Sequence, residues 1–248
     1  MDEDTAKGGN LEIITPQGLQ NVKEKHKGVF SKKVHCDRCG NCCRKGTPSL
    51  MKKDLHLFLS GILSHENTYT IRLNEPLISY DDNEKFESFV EIIKIKSKHG
   101  AECFFYDYDK GCVIYENRPL QCKAYNCWEI SELIVGLEQN GLDRGDIFGS
   151  AKVVLDIINK HEEKCSYEKL SQAFERVASG SEDAVEDILD MLQYDTYIRP
   201  FLEDRLNIPR ESLDLMLGRP LIETITGYGF KVIKDGEDYI LLPIESDS

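Results

Sequence analysis

The chain has 248 residues, 40% of them hydrophobic and 30% charged, with a formal net charge of −13 at pH 7. That length supports a real hydrophobic core in one large domain or two smaller ones. The composition excludes disordered and fibrous classes.

The charge is unevenly spread. Residues 22–58 carry ten Lys and Arg against three Asp and Glu, whereas residues 131–248 carry twelve against twenty-five. The basic stretch coincides with a run of cysteines. Either it is a solvated basic face, or its cations compensate a negatively charged thiolate centre. The acidic C-terminal half would repel phosphate and no reading motif is present, so no nucleic acid is expected as a partner.

Residues 1–29 read as an N-terminal leader. "MDEDTAKGGN" has neither a basic nor an apolar region of a secretory signal. The apolar stretch "LHLFLSGIL" is too short to span a bilayer, so no membrane association is expected and the expected compartment is the cytoplasm. A reducing compartment turns nine cysteines away from disulfides and toward metal or redox chemistry.

Residues 30–130 read as a cysteine-cluster metal-binding domain. "HCDRCGNCCRKGTP" holds Cys36, Cys39, Cys42 and Cys43. Two residues between cysteines let a tight turn aim both sulfurs at one centre, and Gly40 suits backbone folded closely around a metal. Cys42 and Cys43 are adjacent, and neighbouring side chains usually diverge. They are therefore expected to serve different sites, or one of them to stand behind the ligands. His35 flanks the run; His26, His56, His65, His99 and His161 have no paired spacing.

A helix is expected over "TPSLMKKDLHLFLSGIL", capped by Thr47 with Pro48 at its first position, and with Leu55, Phe58, Leu59 and Ile62 on one face. "NEKFESFVEIIKIKS" is ambiguous: Phe86, Phe89, Val90 and Ile93 fit a helix, while "EIIKIK" alternates like a strand. "ECFFYDYDKGCVIYENRP" reads as a hairpin turning at "DYDKG". Pro119 then opens a helix carrying Cys122 and Cys127. In "YENRP", Arg118 can pair with a carboxylate or an anionic centre, while Glu116 and Asn117 read as a turn.

The second cysteine group is Cys103, Cys112, Cys122 and Cys127. It has no tight C-x2-C of its own, so both groups are read as feeding a shared centre or a pair of centres. The alternative for Cys103 or Cys127 is a small buried hydrophobe, and Cys165 reads as structural. Eight thiolates and a C-x2-C-x2-C run favour iron–sulfur, one or two 4Fe–4S clusters, over zinc. The run departs from the bacterial ferredoxin pattern, since its fourth cysteine is adjacent and is followed by Arg44.

Residues 131–248 read as an acidic helical domain with a terminal hairpin. One helix carries Ile147, Ala151, Val154, Leu155 and Ile158. The next is capped by Ser166, presents Leu170, Ala173, Phe174 and Val177, and stops at Gly180. The third is capped by Ser181 and presents Val185, Ile188, Leu189 and Leu192. Pro200 and Pro209 are read as punctuation. "FKVIKDGEDYILLPI" reads as a hairpin with Asp235-Gly236 in its turn. The fold class is thus α+β: a small cysteine-rich metal-binding domain with a hairpin, then a helical domain and a C-terminal β-hairpin.

"CDRCGNCCR" at Cys36 to Arg44 and "GCVIYENRPLQC" at Gly111 to Cys122 resemble the CxxCxxCC, or YkgJ-like, zinc- or iron-chelating cysteine-cluster family. The resemblance spans roughly residues 30–130 and implies that the cysteines of both segments bind one or more metal centres. Cys127 belongs to the pattern of only part of that family.

These features lead to a non-catalytic iron–sulfur accessory protein, for electron transfer or for assembly or activation of a partner metalloenzyme or redox protein. A zinc-stabilised protein-interaction module is the alternative. A third reading is a lysine methylase-like enzyme, because flagellin lysine methylases carry a similar cluster. Its only glycine-rich candidate, "TGYGFKV", leads into a strand and is read as the entry to the terminal hairpin.

Overall fold

A computed structural model describes residues 36, 38–78, 85–124, 140–235 and 238–244, with the backbone of residues 12–13. Cys127, His35, the Gly236 turn and most of the leader lie outside the described residues. The elements are β1 (Glu12–Ile13), α1 (Asn41–Lys45), α2 (Leu55–Leu59), β2 (Thr68–Ile71), β3 (Pro76–Ile78), β4 (Lys85–Glu87), β5 (Ile92–Ile95), β6 (Ser97–Lys98), β7 (Glu102–Cys103), β8 (Tyr106–Asp107) and β9 (Gly111–Cys112). Then follow α3 (Leu120–Ala124), α4 (Arg144–Phe148), α5 (Lys152–Cys165), α6 (Tyr167–Ala178), α7 (Asp183–Leu206), α8 (Arg210–Met216), α9 (Leu221–Thr224), β10 (Phe230–Asp235) and β11 (Asp238–Pro243). The molecule is α+β, with small antiparallel pairs first and helices afterwards.

The first half is built on β2 and β5, paired antiparallel with Tyr69 opposite Lys94 and Thr70 opposite Ile93. Ser49 bridges Lys94 and Met51 bridges Gly141, so residues 49–51 act as a further strand. This displaces the expected helix start. Leu50 N–H donates to Ile93 O and Ile95 N–H to Pro48 O, so Thr47 and Pro48 lead a strand instead of capping a helix. The helical turn begins only at Lys52. Its buried apolar side chain is Leu57, whereas Leu59 is 83% exposed. The ambiguous stretch is resolved as β4 and β5, because alternation places Ile93 and Ile95 in the core.

The hairpin expected at "DYDKG" is β8–β9, with Tyr106 opposite Cys112. The first core gathers Leu50, Leu57, Leu63, Ile93, Ile95 and Phe105, and is completed by Leu142 and Leu215 from far along the chain.

The helical region has two further cores. α6 and α7 pack Leu170, Phe174, Ile188 and Leu192 together, and β10–β11 covers them with Phe230, Val232 and Leu241. Ser166 caps α6 by accepting from Lys169 N–H, and Gly180 follows it at φ +88°. α7 differs from expectation. Ser181 is not its cap, and Pro200 lies inside it. Buried Leu202 and the Arg199–Asp195 pair hold the helix on either side of the missing proline N–H. The expected stripe from Ile147 to Ile158 is split. Ile147 packs on the first core from α4, and Ile158 on the third from α5.

Polar groups join the two halves. Arg72, fully buried at the end of β2, donates to Cys165 O at 2.7 Å and to His161 Nδ1 at 3.0 Å. Because arginine only donates, His161 carries its proton on Nε2 and gives it to Asp195 Oδ1 at 2.8 Å. Asp195 also accepts from Arg199 and from Leu221 N–H. Among the described residues no helix is long and apolar enough to cross a membrane.

Candidate metal centre

The first cysteine run folds as a tight turn that feeds a helix. Arg38 (φ 57°) and Gly40 (φ 75°) take left-handed backbone, and α1 begins at the next residue. Arg38 N–H donates to Cys36 Sγ at 3.4 Å. Since α1 is helical, Cys42 and Cys43 are only one helical step apart. Their sulfurs stand 4.0 Å from each other. The divergence expected of neighbouring residues does not occur, because the backbone there is helical and not extended.

The second group comes from short strands. Cys103 ends β7, which packs against α1, and Cys112 ends β9. The backbone of Phe105 lowers the Cys103 thiol and that of Ile114 the Cys112 thiol, each opposing the larger effect of burial. Cys122 rides on α3, whose start is tied down from elsewhere. Asp54, 2% exposed, accepts from Leu120 N–H at 2.8 Å and from Met51 N–H at 2.9 Å. Gln121 Oε1 accepts from Ser49 N–H.

The thiols feel one another. Cys43 is driven up by its contact with Cys42, then by burial, with Cys103 and Cys112 adding to the effect. Burial raises Cys122 most, with Cys103, Cys112 and Cys42 next and Arg118 opposing. Burial also raises Cys103 and Cys112. Cys36 is among the groups that raise Cys112. Cys36, Cys42, Cys43, Cys103, Cys112 and Cys122 are therefore brought into one neighbourhood. Cys39 is exposed. Cys165 lies apart in the second core, 0% exposed, its thiol pushed up to about 12 by burial.

Two cations flank this neighbourhood. The guanidinium carbons of Arg38 and Arg118 each lie 3.6 Å from the Tyr115 ring centroid, a spacing that requires opposite faces. Tyr115 O–H donates to Cys36 O at 3.3 Å. Both arginines lower the Cys112 thiol, and Arg118 also lowers Cys122. Tyr115 thus links the first cysteine turn to the "YENRP" segment. Sequence reading gave no role to Tyr115, and nothing in its spacing announces one. Glu116 and Asn117 lie in a short turn, as expected.

The donor set suits a thiophilic metal: soft sulfurs, a backbone N–H donating to one of them, and cations alongside. Among the described residues, no three His, Cys, Asp or Glu side chains stand at ligand spacing. The thiols are gathered but not closed around a point. A bound cation would offset the burial and mutual repulsion that raise the thiols of Cys43, Cys103, Cys112 and Cys122.

Residues 35–139 match the family model of the CxxCxxCC putative zinc- or iron-chelating domain. No curated protein and no solved structure matches the chain.

Proposed function

Taking residues 35–139 as a zinc- or iron-chelating domain, we propose that this protein carries an iron–sulfur centre and serves a partner protein, a metalloenzyme or redox protein, by electron transfer or by assembly or activation. The ligands are drawn from Cys36, Cys39, Cys42, Cys43, Cys103, Cys112, Cys122 and Cys127. The observation that carries the reading is the gathering of Cys36, Cys42, Cys43, Cys103, Cys112 and Cys122 into one neighbourhood, more soft donors than a single zinc takes. The Arg38 N–H that donates to Cys36 Sγ at 3.4 Å is of the kind that tunes the potential of sulfur-ligated iron. The bound cluster would supply one-electron chemistry. The chain's own residues would anchor it, shield it with Tyr106 and Phe105, and balance its charge with Arg38 and Arg118. Exposed Arg44 and Lys45 beside the centre suit an acidic partner surface.

Metal and acid-labile sulfide analysis of protein purified without oxygen tests this. Iron with matching sulfide and a broad visible absorption is the expected result. Stoichiometric zinc without colour overturns it.

A second reading, a zinc-stapled interaction module, is favoured by one distance. The Cys42 and Cys43 sulfurs are 4.0 Å apart, close to the edge of about 3.8 Å that a tetrahedral zinc with Zn–S bonds of ~2.3 Å requires.

A further inference from the structure

The turn that carries Cys36 and Cys39 is held at Arg38. Its φ of 57° is unfavourable for any residue with a Cβ, so tertiary contacts must fix it there. Two contacts do. A Cβ built on Gly111 would stand 3.8 Å from Arg38 O and 3.9 Å from Arg38 Cβ, so the turn passes close over the bare glycine next to Cys112. The Arg38 guanidinium then closes on one face of Tyr115.

Tyr115 is tied at four points. Arg38 covers one face of its ring and Arg118 the other, its hydroxyl donates to Cys36 O at 3.3 Å, and its carbonyl accepts from Arg118 Nε at 2.8 Å. Tyr115 lies three residues beyond Cys112. Arg118 lies two residues before α3, which carries Cys122. Three thiol-bearing segments therefore meet at one ring.

The stacks hold the turn more firmly than the nearby ion pair does. Arg38 and Glu116 are 3.4 Å apart but 53% and 84% exposed, and such a pair adds little. One guanidinium stacked on a ring at a surface shifts an equilibrium by roughly two- to fivefold, so two on the same ring reach about tenfold. The planar guanidinium suits this role, which a lysine ammonium would fill less well.

We propose that Tyr115, gripped between Arg38 and Arg118, is the positioning residue that locks the Cys36–Cys39 turn onto the segments carrying Cys112 and Cys122, and so sets how slowly a bound metal is released. The hold on the metal rests on the metal-centre reading; the lock on the turn does not. A metal held by both cysteine groups leaves only when one group lifts away. The first turn is the shorter piece, and the Tyr115 ring is what it must leave behind.

The test compares wild type with Tyr115→Leu, Tyr115→Phe, Arg38→Met and Glu116→Gln, each as the full chain. Two rates are read: loss of bound metal to excess EDTA, and, on metal-free protein, alkylation of Cys36 by iodoacetamide located by mass spectrometry. Cys165, fully buried in the second core, stays unmodified wherever the fold is intact. Tyr115→Leu should speed both rates by about tenfold and Arg38→Met by about threefold. Tyr115→Phe, which keeps the stacks, and Glu116→Gln should stay within about twofold of wild type. Wild-type rates in Tyr115→Leu overturn the proposal. A Tyr115→Phe variant as fast as Tyr115→Leu also overturns it, because the hydroxyl alone would then account for the effect. Faster alkylation with unchanged metal loss would overturn the hold on the metal and keep the lock on the turn. If Tyr115→Leu exposes Cys165, it has lost its fold and Arg38→Met decides: faster alkylation supports the lock, and a wild-type rate sinks it. If the purified protein holds no metal, the metal-centre reading fails and the alkylation rates alone decide the lock.

Discussion

Gly40 and Tyr106 interlock. The tyrosine ring lies across the glycine's bare Cα, so a Cβ added at position 40 would stand 2.6 Å from Cε2 and Cζ of Tyr106. Gly40 also needs φ +75°. Both conditions pin the first cysteine turn onto the hairpin that carries Cys112. Gly40→Ala should therefore destabilise the protein by about 2–4 kcal/mol, from strain and overpacking together. Urea unfolding measures this, and metal retention should fall in parallel because the two cysteine groups lose their mutual register.

Asp54 lies outside every cysteine motif, yet its carboxylate holds the first turn of α3 and with it Cys122. Asp54→Ala leaves the N–H groups of Leu120 and Met51 without their acceptor, a cost of about 2–3 kcal/mol. Asp54→Asn keeps one acceptor oxygen and should recover part of it. Metal stoichiometry measured on both variants should follow the same order as their stability. Equal stoichiometry in wild type and Asp54→Ala would show that α3 places Cys122 without this anchor.

His161 should make the protein acid-sensitive in two stages. Burial holds it below its ordinary value of 6.5, aided by the cations of Arg72 and Arg199 and opposed by Asp195. The unfolded chain thus takes up this proton first, so stability is full above pH 6.5 and falls as the pH drops toward the folded value. Asp195 is depressed below its ordinary 3.8, its burial outweighed by His161 and Arg199, so its share is lost only below about that pH. Unfolding free energies at pH 7.5, 5.5, 4.0 and 2.5 should show both declines, the first between 7.5 and 5.5 and the second below 4.0. His161→Gln should flatten the first decline and, because His161 helps hold Asp195 down, shrink the second while Arg199 keeps part of it. An unchanged slope between pH 7.5 and 5.5 in that variant would rule out the histidine as its source.

Cys165 separates structural from ligating thiols. Its sulfur donates to Met191 O at 3.5 Å in the second core and is fully buried. Cys165→Ala should cost about 1–2 kcal/mol and leave bound metal unchanged. Cys122→Ser, a smaller chemical change, should lower metal content. Comparing the metal content of the two purified variants checks this.

Much of the architecture was legible because local signals and tertiary demands agreed. Ser166, Gly180 and the apolar face from Leu170 to Phe174 mark α6 in both readings. The hairpin at Tyr106 to Cys112 follows from its turn residues. What failed were places where distant contacts overrode local preference. Thr47-Pro48 looks like a helix entry, but residues 48–50 complete a strand strip with β5. Pro200 looks like a stop, but Arg199 and Leu202 are held firmly enough to carry the helix through it. At the thiols, the sequence reading identified six cysteines that the fold does bring into one neighbourhood. It missed the supporting residues: Asp54, Gln121 and Tyr115 act through one or two hydrogen bonds or stacking, which leave no periodic trace.

The first core has a consequence for how this module can be moved between chains. The matched stretch ends at residue 139, but Leu142 and Leu215, 0% and 1% exposed, fill the space among Leu50, Leu57 and Ile93. Leu142 N–H also donates to Leu50 O at 2.9 Å, clasping the strip from outside the matched stretch. A fragment cut at residue 139 would leave an apolar socket open to water, and grafting the cysteine loops onto another scaffold would require importing two leucines from outside the motif. The helical region is in this sense the missing wall of the chamber in which the thiols gather.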